Sequence, residues 1–380
     1  MTQLDAARVR RLPKVVLHDH LDGGVRPQTL VELAHDTGYT GLPSTNVTEL
    51  SSWFAAAAHA GSLENYLTRF TPVVDLLQSS AALERIATEA VLDLAADGVV
   101  YAELKIAPEQ HTQRGLAVDE VVEAVLAGLN VGVARARLRG HEIHPRLLLT
   151  ALRQAATSTE IARLAVRYRE AGVVGFDIAG PEAGYPPTRH LSACEHVRQE
   201  NFNLTIHAGE GFGLSSIWEA IQWCGADRLG HGTRIADDIA VAEDGSAKLG
   251  QLAAYVRDKR IPLEMCPTSN VHTGVVPNLA AHPIDTLRRQ RFRVTVNTSS
   301  RTISQTSMTA EFTELSREFG YGVDELSWFT VNAMKSAFIG HDERLRLINE
   351  VIKPAYARER ISHVSGAFFR MEDAWPHTGR

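Results

Sequence analysis

Residues 14–23 read KVVLHDHLDG: three consecutive apolar residues, Val15, Val16 and Leu17, run into His18, Asp19 and His20 and then a glycine-bearing turn. A β-branched run of this kind, not alternating with polar residues, predicts a strand covered on both faces, as in a parallel sheet. Seven further segments share the form: GVVYAELKIA (98–107), RLLLTALR (146–153), VVGFDIAG (173–180), NLTIHAGE (203–210), DRLGHGT (227–233), IPLEMCP (261–267) and RVTVNTS (293–299). Between them lie stretches such as AALERIATEAVLDLAAD (81–97) and VDEVVEAVLAGLNVGVARARL (118–138), with helical apolar spacing and few breakers. Strand and helix alternating eight times predicts an α/β fold, a single (β/α)8 TIM barrel, and such barrels accommodate a chain of 380 residues.

Two segments depart from the repeat. Residues 28–80, between the first and second strands, hold several helical patterns, among them NVTELSSWFAAAAHA and SLENYLTRFTPVVDLL. Asn46, three residues before Glu49, is a capping pair for the first of these. An insertion in a βα connection lies on the side of a barrel where active sites form, so a lid or pocket wall is expected. Residues 305–380 are expected to be helical to about 360 and then to fray in the tail EDAWPHTGR. No linker interrupts residues 1–380, which therefore read as one domain.

The composition, 44% hydrophobic and 22% charged, suits a soluble protein with a large core. A net charge of -6 argues against a nucleic-acid or anionic-membrane surface. The first residues, MTQLDAARVRRLPK, lack the apolar centre of a secretory signal, and no run of about 18 apolar residues exists to span a membrane. Cys194, Cys224 and Cys266 are not at C-x-x-C spacing, which favours a reducing cytoplasm. The expected partner is a small molecule.

In a parallel barrel, functional groups gather where strands end. His18 and His20 are two apart, so period-two alternation turns both to one face, a suitable geometry for a shared metal. The fifth strand ends in IHAGEG, with His207 and Glu210, and the sixth in LGHGT, with His231. Other features read more plainly. HEIH (141–144) lies before the third strand, at the opposite end, as a solvated loop. GEGFGL lacks the GK[ST] of a phosphate loop. Glu103 and Lys105 read as structural charges, and Cys266 as a small buried residue without a base beside it.

LPKVVLHDHLDGGVRPQTL, SLENYLTRF, GVVYAELKIAPE, VVGFDIAGPE, IHAGEGFG, RLGHGTRI and EMCPTSN, taken in order, resemble the adenosine deaminase family from about residue 12 to about residue 340. The resemblance implies a (β/α)8 barrel, one zinc ion and hydrolysis of the 6-amino group of a purine nucleoside. It assigns His18, His20 and His207 to zinc, since three neutral imidazoles leave a position open for water, whose pKa zinc lowers towards neutrality. It makes His231 the group that takes the water's proton and Glu210 the protonated acid that donates to purine N1. Gly180 matches a backbone N–H contact to the purine, and Asp22 a residue near the ribose hydroxyls, with an alternative as an anchor of the first loop.

The chain departs from the family after NT on the eighth strand. The family carries a zinc-binding aspartate there, commonly followed by a second that contacts purine N7; this sequence has Ser299 and Ser300. A neutral hydroxyl is a poor zinc ligand near pH 7 and no base. Zinc held by three histidines alone, a metal held weakly or lost, and a site redirected to another reaction are the physical outcomes. They correspond to three functions: an adenosine-like nucleoside deaminase with an altered metal shell, a repurposed enzyme acting on another nucleoside or heterocycle, and a non-catalytic nucleoside-binding protein.

Overall fold

Eight parallel strands follow one another around the sheet in chain order in the computed structural model, which describes residues 4–242 and 246–361. They are β1 (Lys14–His20), β2 (Val99–Ile106), β3 (His144–Leu152), β4 (Val173–Ala179), β5 (Asn203–Ala208), β6 (Arg228–His231), β7 (Pro262–Met265) and β8 (Arg293–Val296). The strand residues are buried almost throughout, which is why these runs are continuously apolar rather than alternating. Each fully buried Val or Leu contributes roughly 1.5–3 kcal/mol.

Closure of the barrel depends on the 297–301 segment. Ser299 forms an isolated parallel bridge with Asp19: its N–H donates to His18 O at 3.0 Å, and its carbonyl accepts from His20 N at 2.7 Å. Asn297 Oδ1 accepts from Leu17 N at 2.8 Å. The buried Asp19 carboxylate accepts from Thr298 Oγ1 at 2.6 Å and from Arg301 Nε at 2.9 Å. Gly23 and Gly24 must be small because a Cβ would lie 2.6 Å from Ser300 Oγ and 2.3 Å from the Arg301 guanidinium, respectively.

Helices flank the strands, among them Ser80–Ala96 before β2 and Val118–Leu138 before β3. A short antiparallel ribbon, Ile239–Val241 with Ala247–Leu249, decorates the β6–β7 connection. The insertion is helical as expected. Asn46 caps Val47–Ala55 by accepting from Thr48 N and Glu49 N. Glu49 does not return to the Asn46 N–H, which donates instead to Ser44 Oγ, and Ser44 in turn donates to Glu49. Beyond β8 the chain is mostly helical to residue 361; the expected frayed tail lies outside the described residues. Among the described residues no helix is long and apolar enough to cross a membrane.

Candidate active site

Three strand ends bring four imidazoles together. His18 and His20 share a face of β1, His207 lies on β5, and His231 is the last residue of β6. One ring nitrogen from each of His18, His20 and His207 lies within 4.8 Å of the others. His20 Nε2 is 3.1 Å from His207 Nε2, and the buried His18 Nε2 has no hydrogen-bond partner among the described residues. The outer nitrogens are engaged: His18 Nδ1 lies 3.0 Å from Glu264 Oε2, and His207 Nδ1 lies 3.1 Å from Asp177 Oδ1. A carboxylate on Nδ1 orients an imidazole and leaves the Nε2 lone pair pointing inward. Burial foremost, and then Lys105 and the other histidines, hold His18 well below the ordinary imidazole range. Burial also lowers His20 and His231, where His207 is the next contributor. Converging imidazole nitrogens, with His18 and His20 kept neutral by burial and the His18 Nε2 an orphaned buried polar atom, fit a zinc-like ion. Cys266 lies close to His18 and His231, but burial pushes its thiol well above the usual range and it donates to Glu264 O, so it is no thiolate ligand.

Charges under the histidines replace the usual apolar barrel filling. Lys105 Nζ lies 3.0 Å from Glu264 and 3.6 Å from Asp177; Thr205 Oγ1 donates to Glu264, and Arg228 joins Glu264 to Glu103. Burial alone would raise Asp177, but His207 and Lys105 outweigh it and hold the carboxyl well below the usual range. Glu103 and Lys105 are thus structural charges in the sense expected, with Lys105 also setting the field at the imidazoles.

Glu210 sits on the loop after β5. Burial, then the neighbouring Glu182 carboxylate, pushes its pKa up to about 8, so it is a neutral acid at pH 7. Glu182 holds that loop by accepting from the N–H groups of Gly209, Glu210 and Phe212 at 2.7, 3.0 and 3.0 Å. Glu210 Oε2 lies 3.3 Å from His231 Nε2. His231 Nδ1 is 3.0 Å from the Asn270 side-chain amide, which Thr233 and His282 hold in turn. An amide serves either tautomer of the ring, so this contact fixes its plane.

A cavity of about 240 Å³ opens above these groups. Its polar wall holds His20, His207, His231, Glu210, Ser299 and Ser300, and Leu63, Tyr66, Leu67 and Phe70 of the 28–80 insertion form much of the apolar wall. Among the described residues no Lys or Arg lines it. Gly180 does line it at φ +108°, a conformation that suits glycine, and a Cβ there would stand 2.7 Å from the Gln154 amide. His18 lies behind the wall. Asp22 is not among the lining residues; its carboxylate accepts from Gly23 N at 3.0 Å, in keeping with the loop-anchoring alternative.

The two serines occupy special positions. Ser299 has φ +58° and His231 φ +60°; in both cases a left-handed residue turns the chain where a strand ends. Histidine and aspartate visit that region more readily than most residues. Ser300 Oγ and Ser269 Oγ are buried beside the Tyr66 hydroxyl, which is itself 2.6 Å from Ser304 Oγ.

Several contributors escaped the sequence reading: Asp177 and Glu264 behind the histidines, Glu182 behind the Glu210 loop, Asn270 behind His231, and Arg153, which donates to His207 O and Tyr185 O. The one available signal was the placement of Asp177 and Glu182 within VVGFDIAGPE, ten residues with two acids in an apolar frame.

Comparison with known proteins adds independent weight. The adenosine deaminase family model matches residues 13–354. The chain is 63% identical over 350 residues to adenosine deaminase 1 of Streptomyces coelicolor, covering 92% of this chain and 88% of that one. It is 59% identical to the adenosine deaminase of Mycobacterium ulcerans over 357 residues, covering 94% and 98%. Among solved structures, an amidohydrolase from Burkholderia ambifaria with bound Zn superposes with a TM-score of 0.79, covering 96% of each chain at 23% identity, a likeness of fold.

Proposed function

The chain belongs to the adenosine deaminase family, and from that premise we propose that it is a metal-dependent hydrolase removing the 6-amino group of an uncharged, adenosine-like purine nucleoside. The observation that carries this reading is the convergence of His20, His207, His231 and a neutral Glu210 on one cavity, with His18 directly behind its wall. The relatives named adenosine deaminase support hydrolysis of a C–N bond in a cyclic amidine. Among the described residues the lining holds no Lys or Arg, which favours a nucleoside over a 5′-phosphorylated substrate, whose charge would find no cation there.

His18, His20 and His207 are assigned to a single zinc ion, with Ser299 at the position where the family carries its carboxylate ligand. Zinc on three histidines supplies acidified water near neutral pH. The remaining work belongs to the protein. Glu210 donates a proton to purine N1 as carbon 6 becomes tetrahedral. His231, held by Asn270, orients the attacking oxygen and takes up its proton. Gly180 offers a backbone N–H to the base, and the buried Ser300 hydroxyl supplies a donor to purine N7. Asp22 is assigned to the loop near the ribose end of the site. Residues 28–80 form the lid of a single barrel domain.

Ser299 leaves the site one negative charge poorer than its family pattern. Without a carboxylate at 299, a water held at the three histidines would be more acidic, but the protein would orient it less well. The double loss also supports a second reading, a repurposed deaminase acting on another nucleoside or heterocycle. Ammonia release from a panel of 6-aminopurine nucleosides, with zinc supplied, tests the first. Turnover of at least one is expected; no turnover of any rejects it. Metal analysis of the purified protein addresses the non-catalytic alternative, which predicts little bound metal and ligand affinity without ammonia.

Asp177→Asn is expected to lower zinc affinity about 10- to 100-fold through loss of the charge behind His207. Equilibrium dialysis against a chelator measures it, and unchanged affinity would remove Asp177 from the supporting shell.

A further inference from the structure

Far from the histidines, at the opposite end of the barrel, lies a second concavity of about 540 Å³. Lys259, Arg260, Arg293, Lys335 and Arg344 line it together with Arg228, which is already paired inward with Glu103 and Glu264, and Asp227 is the one acid among the described lining residues. The cations arrive from four separate stretches. Lys259 and Arg260 follow the helix Gln251–Asp258, Arg293 opens β8, Lys335 is in the last turn of the helix Val323–Ser336, and Arg344 is on the helix His341–Arg346. Among the described residues none of the five is ion-paired. Asp227 is occupied elsewhere, accepting from Leu204 N at 2.8 Å.

Like charges gathered in a concavity repel, and the repulsion grows as the walls displace water. Here they are close enough to act on one another: burial, then Arg260 and Arg344, lower the Arg293 pKa. The Arg293 Nε is buried with no hydrogen-bond partner among the described residues. Arg260 and Arg344 spend donors on the carbonyls of Arg291 and Lys335 and meet no carboxylate. Arg260 has φ +60°, a backbone position where glycine or asparagine costs less, yet a cation stands there. An ordinary solvated face interleaves acids with bases; this one does not. Arginine forks match phosphate oxygens, and several cations in one pocket suit a ligand carrying several negative charges.

We propose that this basal pocket is an anion site for a polyphosphate group, separate from the nucleoside cavity. The group is either free inorganic polyphosphate or the phosphate tail of a nucleotide.

Calorimetric titration of the full chain with sodium pyrophosphate, tripolyphosphate and uridine triphosphate, at ionic strength matched with sodium chloride, tests this. One pyrophosphate is expected to bind per chain and to raise Tm above the chloride control. Saturating nucleoside in the catalytic cavity is expected not to displace it. Arg293→Gln is expected to weaken binding roughly tenfold, the loss of one charge-assisted contact. Because Arg293 is half-buried, a second variant joins Lys259→Gln with Lys335→Gln, both on exposed side chains, and is expected to weaken binding several-fold without lowering Tm in the absence of ligand. Uridine triphosphate binding ten times more tightly than tripolyphosphate identifies a nucleotide tail, and equal affinity identifies the free anion. No binding beyond the chloride control, affinity unchanged in both variants, or displacement by nucleoside overturns the proposal. None of these results depends on whether the histidine site deaminates.

Discussion

Ser299→Asp is expected to raise zinc affinity and ammonia release from adenosine together, the turnover by on the order of 100-fold, the cost typical of a misplaced nucleophile. The backbone is already set for it. Residue 299 is pinned between His18 O and His20 N, and its φ of +58° is one that aspartate tolerates better than serine. Ser299 lines the same cavity as His20 and His207. A carboxylate there brings the anionic ligand that a hydroxyl cannot. Equilibrium dialysis with zinc and steady-state kinetics measure the two gains. If neither changes, position 299 is not the metal corner that the family resemblance makes it.

Glu210→Gln is expected to abolish measurable deamination, a loss of about 10²–10⁴-fold for removal of a general acid. The amide keeps the size and a hydrogen-bond donor but has no proton to transfer. The pH dependence gives a second reading. The active form is the protonated one and the carboxyl titrates near 8, so kcat/KM is expected to fall as pH rises through about 8. Stability separates chemistry from folding. The folded carboxyl holds its proton well above an unfolded glutamate's value of about 4.3, so the ionised group weighs against the fold increasingly as pH rises from there and fully above about 8. Glu210→Gln removes that burden, so the inactive variant is expected to melt no lower than the parent at pH 8. Unchanged turnover would displace Glu210 from the acid role.

Legibility followed the range of the interactions. All eight strands were recognisable within two residues or so at most ends, because a continuously apolar run bounded by turn residues is a local pattern. The Asn46 cap was local too, although its expected partner Glu49 bonded to Ser44 instead. The imidazoles were legible for a related reason: strand ends are local, and a barrel gathers them on one rim. What stands behind them was not. Glu264 meets His18 across 246 residues of chain, Asp177 meets His207 across 30, and Glu182 clasps a loop 27 to 30 residues on. No periodicity within one segment reports such pairings. The basal cations were visible as residues and invisible as a group, since four unrelated stretches assemble them.

By itself the sequence determined the barrel, the four histidines and Glu210 at its strand ends, and the two hydroxyls where the family carries carboxylates. These follow from backbone periodicity and residue identity, which no packing alters. Tertiary structure decided the rest. It pulled Ser299 against Asp19 to close the sheet, buried Glu210 beside Glu182 so that it keeps its proton, and left one group of cations unpaired at the floor while pairing Lys105 and Arg228 inside. Desolvation and charge are sums over neighbours distant in sequence, and those neighbours exist only once the chain has folded.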